Sequence, residues 1–388
     1  MWSRREPPEG DRGVSLDVPA PVATRGPVRV VGTGLLGASV GLGLSTRGVD
    51  VVLWDPSRTA LALARDVGAG RTARPDDAPV TLVVVAAPPD VTADVVLAEL
   101  AAHPTAIVTD LASVKGHVLD SLRAAGADLS RYVGSHPMAG GARSGPAGAL
   151  PDLFLGRPWV ITDSGESSRE ALLAVRTLAA DLGAVPVAMH PRAHDDAVAV
   201  ISHVPQVAAS LVAARLRDAE PAALDLSGQG LRDVTRIAAS DPALWTSILA
   251  ANAESIGPVL VEMRADLDRI IDALAQAAAP GAAPESVPGA LGVLARTIAD
   301  GNAGVARIPG KHGGTPRAYA VVTVLVPDAP GELARLLTDV GAAGVNLEDL
   351  QLEHSSGRPV GMAAVWVLPG RADHLQKELT ARGWRLAS

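Results

Sequence analysis

The chain has 388 residues, enough for two or three domains, and 48% hydrophobic with 20% charged residues is the composition of a globular protein with a large core. A formal net charge of −8 argues against a general nucleic-acid surface. The absence of cysteine removes disulfides, thiolate nucleophiles and cysteine metal sites, and fits a cytoplasmic protein.

Residues 1–26 are rich in Arg, Pro, Gly and Glu and have no apolar h-region, so they read as a disordered leader rather than a signal peptide. No run reaches the ~18 consecutive apolar residues of a membrane helix. Val28-Arg29-Val30-Val31 then reads as a strand, Gly32-Thr33-Gly34-Leu35-Leu36-Gly37 as a glycine turn, and Ala38 to Thr46 as a helix. In that context the glycines permit a tight turn and close approach of a pyrophosphate, and the helix N-terminus offers free N–H groups to it. The next apolar run, Val51 to Trp54, ends at Asp55, placed to accept from a ribose 2′-OH. The stretch also contains Gly37-Ala38-Ser39-Val40-Gly41, which fits the pattern of a hydrolase nucleophile elbow. The turn is already made upstream, so Ser39 reads as a small helix-packing residue.

Alternating elements continue: a strand at Thr81–Ala87 closed by Pro88-Pro89, a helix at Asp90–Ala102, a strand at Ala106–Leu111 and a helix at Val114–Leu122. Strands at Tyr132–Ser135, Trp159–Thr162 and Val185–Val187 follow, with a helix at Ser168–Leu182. This order predicts a Rossmann-type α/β domain over 27–189, with a doubly wound, mainly parallel sheet. Ligands of such sheets lie beyond the carboxyl ends of the strands, where Thr33, Asp55, Ala87, Ser113 and His136 fall.

From about His190 the pattern is helical, giving a second, all-helical domain over 190–306. Leu260, Met263, Leu267, Ile270 and Leu274 step by three and four, as a core stripe or a dimer interface does. Residues 280–289 read as a loop and 307–317 as a linker. The last segment, 318–388, reads β-α-β-β-α-β, a ferredoxin-like α+β order.

Three segments carry candidate chemistry. Asp110-Leu111-Ala112-Ser113-Val114-Lys115 joins a strand to a helix, and Ser113 alone could be a plain N-cap. Ser135-His136-Pro137-Met138-Ala139-Gly140 puts a histidine at a strand end before a glycine-rich loop. In Gly230-Leu231-Arg232-Asp233-Val234-Thr235-Arg236, Asp233 and Arg236 are i,i+3 neighbours, so the acid could orient the guanidinium toward a carboxylate or form an ordinary surface pair.

These segments in this order, with Leu155-Gly156-Arg157-Pro158-Trp159, Ile201-Ser202-His203-Val204-Pro205, Ser240-Asp241-Pro242-Ala243-Leu244-Trp245 and Ile308-Pro309-Gly310-Lys311-His312-Gly313, resemble the prephenate/arogenate dehydrogenases of tyrosine biosynthesis. Asp328 to Leu333 and Gly344 to Leu347 resemble an ACT domain, a regulatory module of some members.

The resemblance implies an NAD-dependent enzyme that takes hydride from ring C4 of prephenate with loss of CO₂, giving 4-hydroxyphenylpyruvate. His136 would be the base at the C4 hydroxyl and Ser113 its hydrogen-bonding neighbour; a neutral imidazole suits this near neutral pH. Arg236 would grip a substrate carboxylate, with Asp233 and Thr235 at the same helix end. His203 matches a second histidine near the substrate. Trp245 matches a tryptophan that reaches the neighbouring subunit's site, which implies a homodimer, although a core anchor is the plainer reading. The cofactor would lie on Gly32, Thr33, Gly34, Leu35, Leu36, Gly37, Asp55, Ala87 and Pro88.

Asp55 disfavours a 2′-phosphate and so favours NAD over NADP, with Arg58 close enough to oppose it. No metal is expected. Two positions depart from the family: Ala142 stands where an acidic residue is common, and Gln206 where a second histidine is. Arogenate and amino-deoxyprephenate therefore remain alternative substrates, and a non-catalytic metabolite sensor is the reading from another class. The ACT-like segment could bind tyrosine as an effector near Gly331 and Asn346, or serve only dimerisation.

Overall fold

In the computed structural model, which describes residues 22–141, 143, 145–279, 288–309, 319–354 and 360–387, the apolar runs of the first half form one seven-stranded sheet. Most of the leader, Ala142, the Lys311-His312-Gly313 motif and most of the two expected linkers lie outside the described residues.

The strands are β1 (Val28–Val31), β2 (Val51–Trp54), β3 (Leu82–Val85), β4 (Ile107–Asp110), β5 (Tyr132–Pro137), β6 (Pro158–Thr162) and β7 (Val185–Met189), in the order β2-β1-β3-β4-β5-β6-β7. Neighbours pair in parallel except β5 and β6, which are antiparallel with His136 opposite Val160. The central strand β3 is buried on both faces, so its sequence runs as unbroken Leu and Val rather than alternating. β5 continues two residues further than the apolar run suggests, and His136 lies within it instead of after it.

Helices α1 (Leu35–Ser45), α2 (Arg58–Asp66), α3 (Pro89–Ala102), α4 (Gly116–Ala124) and α5 (Arg169–Asp181) connect the strands. α2 is not among the elements expected from the sequence; it turns a short apolar face of Ala60, Leu61 and Ala64 inward and starts at the Ser57 cap, whose Oγ accepts from Ala60 N at 3.3 Å. Ser39 is buried in α1 and its Oγ accepts from Leu150 N at 3.1 Å, which removes the hydrolase-elbow reading.

The turn between β1 and α1 is set by backbone approach. Gly32 has φ +93°, and a Cβ on it would lie 2.4 Å from Ala86 O. A Cβ on Gly37 would lie 1.9 Å from Gly32 O, so the helix can start this close only without a side chain there. At Gly34 a Cβ would meet nothing within 4 Å, and α1 has no side-chain cap. The N–H groups of α1 therefore face open space at the carboxyl end of β1.

A helical region follows: α6 (Pro191–Val198), a π-helical turn (Ala199–His203), α7 (Val204–Arg215), α8 (Pro221–Leu224), α9 (Gln229–Thr235), a 3₁₀ turn (Arg236–Ala238), α10 (Pro242–Ala251), α11 (Ala253–Ala277) and α12 (Pro288–Val305). Pro205 has no N–H for the carbonyl of Ile201, and the wide turn sits immediately before it, with Val204 N reaching back to Ala199 O. The run Pro191–Asp218 is long and apolar enough to cross a membrane by length and composition, yet its buried face carries His194, Asp195 and His203 in hydrogen bonds. One compact unit runs through Asp225 and takes in Val234–Glu262; the second consists of Leu226–Asp233 and Met263–Ser388.

Within the second unit, β8 (Ala320–Pro327), α13 (Glu332–Ala342), β9 (Asp349–His354), β10 (Val360–Val367), α14 (Pro369–Ala381) and β11 (Arg385–Leu386) form an antiparallel sheet of order β11-β8-β10-β9. Here burial alternates along β8 and β10, because one face only packs on a core of Leu336, Val340, Leu375 and Leu379.

Gly37→Ala should destabilise the protein by about 1–3 kcal/mol through overpacking, whereas Gly34→Ala should leave the thermal midpoint nearly unchanged. Thermal denaturation of the two variants checks this; an unchanged midpoint for Gly37→Ala contradicts the close-approach account.

Candidate active site

At the carboxyl end of β4, Asp110 is fully buried and accepts from Ala112 N at 2.9 Å, from the Tyr132 hydroxyl at 2.7 Å and from the Lys115 ammonium. Lys115 also donates to Ser135 O at 2.8 Å. Burial pushes the Lys115 ammonium below its usual range against the pull of Asp110, and burial together with Asp110 raises the Tyr132 phenol. These bonds close the 110–115 loop on itself. Ser135 is structural, donating to Asp110 O at 2.9 Å.

The plain reading of Ser113 as an N-cap does not hold. α4 starts at Gly116 after Lys115, and no side chain of its own segment caps it. The buried Ser113 Oγ has no hydrogen-bond partner among the described residues. A buried hydroxyl without a partner costs about 1–3 kcal/mol, a cost a bound ligand can remove.

The cap of α4 comes from Asp195, the fifth residue of α6. Its Oδ1 accepts from Lys115 N at 2.8 Å and its Oδ2 from Gly116 N at 2.7 Å. Its Oδ1 also accepts from His194 Nδ1 at 2.8 Å. Burial raises its pKa, but the bonds from His194, Lys115 N and Gly116 N outweigh burial and hold it below the usual carboxylate range.

His194 Nε2 lies 2.9 Å from His136 Nδ1, with the rings edge to face at 80°. An ionised Asp195 can only accept, so His194 Nδ1 donates. Neutral His194 then has only an acceptor at Nε2, and His136 Nδ1 must donate to it. The lone pair of neutral His136 is left on Nε2. Burial first, then His194, Lys115 and His203, pushes the His136 pKa well below its ordinary value of 6.5, so the ring is a neutral base at neutral pH.

His203 is wired the opposite way. Asn252 Nδ2 donates to Asp195 O at 2.9 Å, which identifies it as the amide nitrogen, and the same group lies 3.0 Å from His203 Nδ1. His203 Nδ1 therefore accepts, and its N–H is on Nε2. Burial lowers the His203 pKa from 6.5 to about 4. Trp245, half-buried, stands edge to face with His203 of its own chain at 6.0 Å.

The remaining expected residues divide. Gln206 is buried, with Ser210 Oγ at 3.5 Å from its Nε2 and Ser240 Oγ at 3.4 Å from its Oε1. The 3₁₀ turn that begins with Arg236 packs against α7. The Arg236 side chain is exposed and pairs with nothing among the described residues. Asp233 Oδ1 is taken by Gln229 Nε2 at 2.7 Å, so an amide holds the acid that was expected to orient Arg236. Thr235 is half-buried at the end of α9. In the second unit, Gly331 opens α13 with φ +90°, and Asn346 Nδ2 donates to Glu348 Oε1 at 3.1 Å.

Around the glycine turn, Thr33 is fully buried and both its N–H (2.7 Å) and its hydroxyl (2.9 Å) bond Asp55 Oδ2, while Ser57 N bonds Oδ1 at 2.8 Å. Thr33 thus fixes the acid beside the uncapped helix N-terminus. Leu35 and Leu36 form the first turn of α1, and Ala87 and Pro88 follow β3. The open space over Gly34 and the fixed acid fit a dinucleotide. No cluster of metal-ligating side chains occurs among the described residues.

Sequence reasoning missed His194, Asp195 and Asn252. The one available signal was a His-Asp pair inside an otherwise apolar helical stretch.

The profile of the prephenate dehydrogenase nucleotide-binding domain matches residues 40–188, and that of the prephenate dehydrogenase dimerization domain matches 190–283. A probable prephenate dehydrogenase, NovF of Streptomyces niveus, is 38% identical over 92% of this chain and 98% of its own length. The prephenate dehydrogenase of Bacillus subtilis is 27% identical over 70% of this chain and 71% of its own. The Aquifex aeolicus prephenate dehydrogenase in complex with hydroxyphenyl propionate and NAD+ superposes with a TM-score of 0.58 at 26% identity, covering 70% of this chain and 97% of that one. Synechocystis arogenate dehydrogenase gives 0.56 at 27% identity, covering 71% and 99%.

His203 should stay neutral in the folded protein down to about pH 5, read from its ring ¹⁵N and Hε1 shifts. In the unfolded chain it protonates near 6.5, in the folded one at about 4. Its neutral burial therefore stabilises fully above about pH 6.5 and is lost progressively as pH falls toward 4. A folded-state titration near 6.5 contradicts this.

Proposed function

Because the chain belongs to the prephenate dehydrogenase family, we propose that it catalyses the NAD-dependent oxidative decarboxylation of prephenate to 4-hydroxyphenylpyruvate. The observation that carries this reading is His136: a half-buried, desolvated neutral imidazole with Nδ1 committed to His194 and Nε2 left as a base.

NAD supplies the hydride acceptor when bound, against the α1 N-terminus and Asp55. His136 Nε2 takes the proton of the ring C4 hydroxyl, and Ser113 Oγ gives that hydroxyl a hydrogen bond and so gains the partner it lacks among the described residues. Loss of CO₂ makes the ring aromatic and supplies the driving force, so the residues need mainly to position and to accept a proton. Arg236 offers to a substrate carboxylate a guanidinium that pairs with nothing among the described residues, with Asp233 and Thr235 at the same helix end, and His203 presents an Nε2–H donor. Trp245 braces His203.

Arogenate differs by an ammonium in place of the keto group. The two buried acids of the site, Asp110 and Asp195, are occupied by Lys115, Tyr132, His194 and backbone N–H groups, and Oδ1 of the exposed Asp233 by Gln229. Neither buried carboxylate is left to meet an ammonium, which favours prephenate. An inert sensor would have no use for a base wired in this way.

The functional segments are a dinucleotide-binding domain over 27–189, a helical substrate and dimerisation domain over 190–306, and an ACT-like domain over 318–388. Exposed Met263, Leu267, Ile271 and Leu274 on α11 supply an apolar face for a cytoplasmic homodimer. The β-α-β-β-α-β unit would bind tyrosine near Gly331 and Asn346 and restrain turnover.

With purified protein, prephenate and NAD should yield NADH, and arogenate or NADP much less. His136→Asn should lower kcat by about 10²–10⁴-fold while NAD binding is kept; near-normal turnover in that variant contradicts the role of His136. Tyrosine should weaken prephenate turnover by about 5–150-fold in apparent affinity, and Asn346→Ala should relieve it. Kinetics indifferent to tyrosine remove the effector from this scheme.

A further inference from the structure

We propose that His194 is a relay and positioning residue for His136, so that the proton drawn from the substrate hydroxyl comes to rest on His194 against Asp195. The inference rests on the reading in which His136 is the base.

Three groups stand in series: His136 Nδ1 at 2.9 Å from His194 Nε2, and His194 Nδ1 at 2.8 Å from Asp195 Oδ1. Their polarity runs one way. The carboxylate accepts from His194, and His194 accepts from His136. When the substrate O–H bond breaks and its proton bonds to His136 Nε2, the proton on His136 Nδ1 can pass to His194 Nε2. His136 ends neutral, as its Nε2–H tautomer. His194 ends as a cation with N–H on both nitrogens, beside an ionised carboxylate. One proton has entered the pair, no electrons have moved within it, and the hydride has gone separately to NAD.

The surroundings favour this resting place. His136 is enclosed beside Lys115 and His203, either of which opposes a positive charge on it. No hydrogen bond joins His136 to a carboxylate among the described residues. His194 is buried more deeply than the half-buried His136, at 1% exposure, but has Asp195 in contact. Asp195 cannot turn away, because Lys115 N and Gly116 N hold both its oxygens. The other charged groups on the two packed helices are Arg192 and Asp196 on α6, and His117, Asp120 and Arg123 on α4. Arg192 is paired with Glu254, Asp196 accepts from Ser255, and Arg123 is paired with Asp120 and Glu166.

Asp195 also supplies an exit. With Gly116, His117, Asp120, Arg192 and Glu254 it lines a surface cleft of about 350 Å³ that neither His136 nor His194 lines. A proton on His194 thus has a way to water through the carboxylate, and need not return past bound substrate.

The test uses the full-length protein with NAD. His194→Gln keeps an acceptor for the His136 Nδ1–H but takes no proton. Single-turnover NADH formation from prephenate should slow by about 10²-fold in this variant, with NAD binding unchanged. Its proton inventory in H₂O/D₂O mixtures should change from curved, for two protons in flight, to linear, for one. Histidine-selective ¹⁵N spectra of the wild-type holoenzyme without substrate should show His136 and His194 both as Nδ1–H tautomers.

A wild-type rate with a curved inventory in His194→Gln overturns the relay. So does an Nε2–H tautomer at His136, whatever substrate the enzyme takes. Failure of wild-type protein to oxidise prephenate speaks against the substrate reading alone, and the tautomer measurement then decides the relay. Full activity of His136→Asn overturns both. Asp195→Asn is a harsher variant because it also uncaps α4, and its thermal midpoint must be read beside its rate.

Discussion

A carboxylate taken out of water has to be met by donors, and Asp195 shows what that requirement organises. Its oxygens accept two backbone N–H groups from the start of α4 and one ring N–H from its neighbour His194. Its own carbonyl accepts from Asn252, which reaches on to His203. A residue of the helical region thereby caps a helix of the sheet, orients both imidazoles and ends the loop that carries Ser113. The other end of that loop is closed by Asp110 and Lys115, a second buried acid with its partners. Removing one partner from such a buried pair typically costs about 3–5 kcal/mol. The geometry of the site and the integrity of this junction are therefore the same interactions.

The two histidines show how partner chemistry assigns roles to one residue type. Both are neutral because they are buried. His136 donates at Nδ1 and keeps a lone pair at Nε2; His203 accepts at Nδ1 and keeps an N–H at Nε2. One ring can take a proton and the other can only give a hydrogen bond. An imidazole pair without Asp195 and Asn252 would have no reason to divide in this way.

What the sequence disclosed was local. The glycine turn, Asp55, Ser113 and His136 all sit at strand ends, where a strand-turn-helix pattern within ten residues announces them. The limits of β5 and the presence of α2 escaped, the first because His136 and Pro137 do not look like strand, the second because an apolar face of Ala60, Leu61 and Ala64 over nine residues is a short signal. Asp195, His194 and Asn252 escaped for a different reason. Apart from the bond between the neighbours His194 and Asp195, their bonds join residues 49 to 80 positions apart, and no periodicity records such a link. The expected Asp233–Arg236 pair was a local rule applied where another local partner, Gln229 at i−4, was better placed.

Gln206 gives the site its remaining character. A histidine at this position would add a group able to take charge; an amide adds none. Its two contacts, at 3.5 and 3.4 Å, are at the long limit of hydrogen bonding, and Ser240 spends its shorter bond, 2.6 Å, on Ile237 O. A buried amide left so loosely satisfied gains more from a polar ligand than one already paired. With Asp110 and Asp195 saturated by donors, the groups proposed to meet the substrate are the Arg236 guanidinium, the His203 N–H, the Gln206 amide, the Ser113 hydroxyl and His136 Nε2. The guanidinium and the His203 N–H are donors alone and the rest are uncharged, a balance that suits a substrate made of carboxylates and a keto oxygen. An ammonium would be left to neutral acceptors and to the exposed Asp233, whose Oδ1 already accepts from Gln229. Discrimination here comes from the acceptors that the fold has already used elsewhere.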